Sequence, residues 1–113
     1  MKFKPTILID LDGVLNHYLG DYDPKYIPKI NKNAIEFLKK LHVQNKYELV
    51  LFSSRNLLLA AKWLIKNNID CYFSDITNVK KTSSILIDDR AICFDGDFNK
   101  LLKEIQNFKV WYK

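Results

Sequence analysis

Short apolar runs alternate along the chain with stretches of helical period. Thr6-Ile7-Leu8-Ile9-Asp10-Leu11 is almost continuously apolar and stops at Gly13, the pattern of a strand buried on both faces. Ala34, Ile35, Leu38 and Leu41 then recur at helical spacing behind Asn31 or Asn33, either of which can cap the helix. Tyr47 to Phe52 reads as a second strand, and Ser53-Ser54 as the cap of a helix carrying Leu57, Leu58, Ala61, Leu64 and Ile65 and closing near Asn67-Asn68. Ile69 to Phe73 is expected to form a third strand, Ser84 to Ile87 a fourth, and Ala91 to Phe94 a short edge strand. Behind the Asp95-Gly96 turn, Asp97 can cap a last helix with Phe98, Leu101, Leu102, Ile105 and Phe108 on one side.

Strands alternating with helices imply right-handed crossovers and a parallel sheet sandwiched by helices, an α/β three-layer fold. At 113 residues there is room for one domain spanning residues 1–113 and none for a second. With 3 Gly and 3 Pro and no low-complexity tract, disorder and fibrous classes are excluded.

Cys71 and Cys93 both lie inside apolar runs, where a thiol behaves as a small buried hydrophobe. Their spacing fits neither a zinc ribbon nor a redox pair. They point to a reducing compartment. The N-terminal stretch meets Asp10 too early for a signal peptide or a membrane span, so a cytoplasmic protein is expected. The 18 Lys and Arg outnumber the 13 Asp and Glu and give a net charge of +5. No basic run exceeds two residues, so charge alone does not establish a nucleic-acid partner.

Ligands of parallel α/β sheets bind beyond the carboxyl ends of the strands. There the sequence places Asp10 and Asp12 after the first strand, Ser53 after the second, and Asp88 and Asp89 after the fourth. Like charges this close are tolerated when a cation sits among them or when one carboxyl keeps its proton. Asp10, Asp12, Asp88 and Asp89 would form an oxygen-rich pocket suited to Mg²⁺, which prefers carboxylates, water and phosphate oxygens. Backbone N–H groups around Gly13 and at Ser53-Ser54, with the Ser53 hydroxyl, can face a phosphoryl group, and Lys80 or Lys81 can neutralise it. Asp10 could attack phosphorus while Asp12 protonates the leaving alcohol and then activates water.

Ile7 to Val14, an apolar strand ending in Asp-Leu-Asp-Gly, resembles the first motif of the haloacid dehalogenase (HAD) superfamily. Leu49 to Ser53 resembles its second motif, Lys80 or Lys81 stands where its third-motif lysine is expected, and Ile85 to Asp89 resembles its fourth. The resemblance spans residues 6 to 98 in the right order. It implies a Rossmann-like HAD fold and a phosphatase with Asp10 as nucleophile and Asp12 as general acid/base. Mg²⁺ would be held by Asp10, by the main-chain carbonyl of Asp12 and by Asp88 or Asp89. Ser53 and the lysine, preferably Lys80, would bind phosphate. No segment is long enough for the cap domain that most members carry. Capless relatives leave the site open to large substrates such as nucleic-acid ends or phosphoproteins, or borrow a cover from a second copy of the chain. Asn16, His17, Tyr18 and Tyr22 are expected in a small flap over the site.

Ser53-Ser54-Arg55 and Ile87-Asp88-Asp89-Arg90 are also similar to segments of the 3′-phosphatase module of phage-type polynucleotide kinase, which implies that Arg55 assists phosphate binding. A non-hydrolytic receiver-like or binding module is the alternative of another class. In a receiver, however, the acidic pair closes the first strand, and here it closes a late one. Asp95 and Asp97 read as turn residues, His17 as a surface residue and His42 as structural. Trp63, Trp111, Phe98 and Phe108 read as core or docking aromatics.

Overall fold

The computed structural model describes residues 4–83 and 85–112. Four parallel strands, β1 (Thr6–Asp10), β2 (Glu48–Phe52), β3 (Asp75–Thr77) and β4 (Ile85–Ile87), form one sheet in the order β3-β2-β1-β4. β1 is central, with Ile9 beside Leu51 on one flank and beside Ile87 on the other. Because the chain leaves β1 toward β2 and later returns to its other side as β4, the order reverses at the carboxyl end of β1. That reversal opens the crevice in which such folds bind ligands.

Helices α1 (Lys32–Gln44) and α2 (Leu57–Lys66) make the two crossovers β1-α1-β2 and β2-α2-β3, and right-handedness puts both on the same face. There Ile7, Ile9, Leu49 and Leu51 pack with Ala34, Leu38, Ala60, Trp63, Leu64 and Ile69 into one buried cluster. Strand alternation turns Leu8 and Val50 to the opposite face, where they are buried as well, so β1 and β2 have the two-sided burial their apolar runs predict. The result is a Rossmann-like α/β three-layer fold. Among the described residues no helix is long and apolar enough to cross a membrane.

Caps follow local chemistry. The Asn31 side chain accepts the Asn33 N–H at the start of α1, and Asp97 accepts from Lys100 at the start of α3 (Phe98–Gln106). The α2 cap is Asn56, which accepts the Leu59 N–H, and not Ser53-Ser54; the helix therefore starts several residues beyond the strand end. Ile69 to Phe73 is not a strand. It holds a 3-10 turn, Asp70–Tyr72, with Ile69 buried under it, and β3 follows after Ser74. The turn wins because the chain must reverse immediately after α2, whose end is marked by Asn68 in the left-handed conformation (φ 58°).

Ala91 to Phe94 forms no strand and Phe94 is exposed. Ser84, expected to open β4, lies outside the described residues. The apolar side of α3 finds no core: Phe98 is 71% exposed, Leu102 62% and Ile105 56%. Trp63 is a core residue, whereas Phe98, Phe108 and Trp111 are not. Cys71 and Cys93 are free and exposed, contrary to the burial their apolar neighbours predict, because one lies on the 3-10 turn and the other in the irregular segment after β4.

Candidate active site

Parallel register delivers three carboxylates to one point. Asp10 ends β1, and Asp88 and Asp89 follow directly after β4, which is paired with β1 up to Ile9 and Ile87. One carboxylate oxygen from each of Asp10, Asp88 and Asp89 lies within 4.8 Å of the others. Among the described residues, Asp89 has both oxygens buried with no hydrogen-bond donor. Carboxylate oxygens buried without a protein donor cost several kilocalories per mole in general, unless a cation, a proton or a water satisfies them.

The electrostatics agree. Burial, the adjoining Asp89 carboxyl and the charge of Asp88 push the Asp10 carboxyl up to about 8, against an opposing effect of the Leu11 N–H. A carboxyl cluster that can ionise fully only at a cost is relieved by a bound cation or by a retained proton, and oxygen donors of this kind suit a hard cation better than a soft one.

Gly13 is where the motif loop needs glycine. Its φ is +82°, and a Cβ there would run into the Asp89 carboxylate and approach the Tyr112 ring to 3.1 Å. The loop after β1 is organised by Asn16, which is fully buried. Its Oδ1 accepts from the Gly13 N–H at 3.2 Å and from the Tyr18 N–H at 3.1 Å, and its Nδ2 donates to Asp12 at 3.0 Å. A bridge between Asn16 and Ile30, with the His17 N–H donating to the Lys29 carbonyl, closes the flap over residues 14–30. Asn16 and Tyr18 are thus internal struts and not substrate-facing residues, while His17 and Tyr22 are exposed.

Asp12 does not join the carboxylate cluster. Its side chain is held by Arg55, whose Nε donates to Oδ2 at 2.7 Å and whose Nη2 donates to Oδ1 at 3.2 Å. Arg55 Nη1 donates to the Asp23 carbonyl at 2.7 Å, and the guanidinium lies 4.7 Å from the centre of the Tyr22 ring. The Arg55 side chain is 1% exposed, and three of its five N–H donors are committed to Asp12 and to the Asp23 carbonyl. The reason is geometric: a planar fork two residues beyond Ser53 matches the carboxylate two residues beyond Asp10 on the neighbouring strand. The expected four-carboxylate pocket is therefore a three-carboxylate pocket beside an Asp12–Arg55 pair.

Ser53 is buried at the end of β2; its N–H donates to the Thr77 carbonyl at 3.0 Å and its Oγ accepts from the Arg55 N–H at 3.1 Å, leaving the hydroxyl proton to donate. Ser54 is exposed, and the cap of α2 is Asn56 instead. Lys81 reaches back along β3 to Asp75 at 2.9 Å, whereas the exposed Lys80 makes no ion pair among the described residues.

Two contributors come from a part of the chain the sequence did not connect to the site. Trp111 Nε1 donates to the Gly13 carbonyl at 2.7 Å, and Tyr112 stands edge-on to Tyr18 with ring centres 6.1 Å apart. Burial, and then Asp89, push the Tyr112 hydroxyl above its ordinary value.

No protein-family model matches the chain, and no curated protein matches it. Among solved structures, it is similar to a conserved protein coded by a locus of Bacteroides thetaiotaomicron. The TM-score is 0.60 and the identity 23%, over 96% of this chain and 95% of that one. At that identity the likeness carries the fold.

Proposed function

We infer that the protein is a Mg²⁺-dependent phosphomonoester hydrolase of the HAD type, working through an aspartyl phosphate on Asp10. The reading rests on the buried, donor-less Asp89 carboxylate converging with Asp10 and Asp88 at the carboxyl end of the central strand. Asp10, Asp88 and Asp89 would hold the ion, which would supply charge neutralisation for the phosphoryl oxygens and keep Asp10 ionised near neutral pH.

The chain's own residues supply the rest. Asp10 attacks phosphorus, the bond from phosphorus to the ester oxygen breaks, and that oxygen takes a proton from Asp12. Asp12 then takes a proton from water as the water attacks phosphorus, and the bond from phosphorus to the Asp10 oxygen breaks. The Arg55 fork orients the Asp12 side chain for its part in both steps. Ser53 Oγ donates to the phosphoryl group. Lys80, rather than the Asp75-bound Lys81, is the cation for it.

A flap of residues 14–30 in place of a cap leaves the site open to large phosphorylated substrates. Two free, exposed thiols fit work in a reducing cytoplasm. The test is phosphate release from an aryl phosphate with and without Mg²⁺. Wild type is expected to turn over only with the ion, and Asp10→Asn to lose at least a thousandfold. Full activity in Asp10→Asn, or a folded wild type inert across a broad phosphoester panel, refutes the assignment.

A further inference from the structure

Trp111 is 63% exposed, yet it is not loose. Its indole N–H is bound to the Gly13 carbonyl at 2.7 Å, its ring meets Tyr112 edge to face with centres 5.5 Å apart, and Tyr112 is in turn set against the buried Tyr18. Gly13 directly follows Asp12, the residue that protonates the departing oxygen in the reading above. A large aromatic surface is thus fixed at the Gly13 carbonyl, one residue from Asp12. Phe94 and Phe98, also exposed, pair with each other at 4.9 Å.

A ring immobilised before substrate arrives forfeits little entropy on binding, and stacking on it is tolerant of which planar ring is offered. Nonplanar polyols gain nothing comparable, because their hydroxyls must surrender water to an apolar face. We propose that Trp111 is the platform for the leaving group and makes the enzyme selective for phosphomonoesters whose alcohol carries a planar aromatic ring, nucleoside phosphates and aryl phosphates alike. The inference rests on the phosphatase reading for the direction in which the leaving group departs.

Kinetics and fluorescence test it separately. The ratio of kcat/KM for phenyl phosphate to that for glycerol phosphate is expected to fall about tenfold in Trp111→Ala, through KM, and to recover only in part in Trp111→Phe, which restores a ring without the N–H that fixes it to Gly13. Adenosine monophosphate in place of phenyl phosphate is expected to show the same Trp111 dependence; its absence there overturns the proposal for nucleoside phosphates. An unchanged ratio in Trp111→Ala overturns the proposal. With Trp63→Phe, Trp111 is the sole indole of a chain that has 2 Trp. Its emission is expected to be quenched saturably by phenyl phosphate with Mg²⁺ and not by glycerol phosphate. Equal responses to the two ligands overturn the platform even if turnover is robust. Selective quenching without any turnover supports the platform and removes the hydrolase assignment instead.

Discussion

The Asp89 carboxylate lies against the bare Cα of Gly13, in the space where any other residue would place its Cβ. Two segments far apart in sequence thereby share one van der Waals surface, and the last carboxylate of the cluster reaches the first. Gly13→Ala meets both the left-handed φ of +82° and the collision with Asp89. Its backbone strain costs about 1–3 kcal/mol. The larger effect is displacement of Asp89, and a shift of about 1 Å in a ligand is expected to lower turnover about a hundredfold. Denaturant unfolding together with a Mg²⁺ titration checks both parts; an alanine variant with unaltered Mg²⁺ affinity contradicts the close approach.

The raised Asp10 carboxyl fixes a pH dependence. Folding moves it from 3.8 to about 8, so between those values the folded protein holds a proton the unfolded chain has released. Stability from this group is complete below 3.8 and is lost as pH rises toward about 8. A bound cation favours the ionised form and reverses the loss. Thermal midpoints measured in chelator and in Mg²⁺ should therefore separate progressively from pH 5 to pH 8. Calorimetric titration near neutral pH, in two buffers of different ionisation enthalpy, should show a proton released on Mg²⁺ binding. A midpoint difference that does not vary with pH contradicts this account.

The Asp12–Arg55 pair is the clearest energetic commitment outside the hydrophobic cluster. Arg55→Ala leaves a largely buried carboxylate without its fork and removes one of the two donors to the Asp23 carbonyl, the Tyr26 N–H remaining; breaking such a pair costs about 3 kcal/mol. Arg55→Lys keeps the charge but not the two-pronged geometry and should recover less than half of the loss. A double-mutant cycle with Asp12→Asn isolates the pair, and a coupling near zero contradicts the geometry.

What the sequence revealed about the site follows how local each feature is. Asp10, Asp88, Asp89 and Gly13 were legible because strand ends in a parallel sheet are placed by topology alone, and Ile7 to Ile9 and Ile85 to Ile87 are visibly strands. The partner of Asp12 was not, since Arg55 carries the same residue type whether it faces a phosphate or a carboxylate; only the position of its neighbours decides. Asn16 reads as an ordinary loop residue until its burial shows that it bonds Gly13, Asp12 and Tyr18 together. The link from Trp111 to Gly13 crosses 98 positions and leaves no local signature. Helical spacing likewise identified α3 correctly but could not say whether its apolar side had anything to meet.

That last point is itself open to measurement. Since Phe98 and Leu102 remain exposed, Phe98→Ser and Leu102→Ser should each change unfolding free energy by less than about 0.5 kcal/mol, the range of surface substitutions. Leu38→Ala, in the buried cluster, should cost about 2–5 kcal/mol. Comparable losses at Phe98 and Leu38 would mean that α3 is packed in solution against a surface it does not touch here.

The sharpest discrimination comes from Asp89→Asn, because stability and function are expected to move in opposite directions. In chelator the substitution removes one of three converging carboxyl groups and introduces an amide that can donate to Asp10 or Asp88, so the metal-free protein should become more stable. With Mg²⁺ it should gain less than wild type does, because one of the three oxygens that would hold the ion is gone. Turnover should fall with it. A purely structural cluster predicts the reverse of the first result, since an asparagine replacing a carboxylate that packs usefully against Gly13 would lower the midpoint in chelator. Thermal unfolding of both proteins with and without Mg²⁺ therefore separates a cation site from an acidic turn.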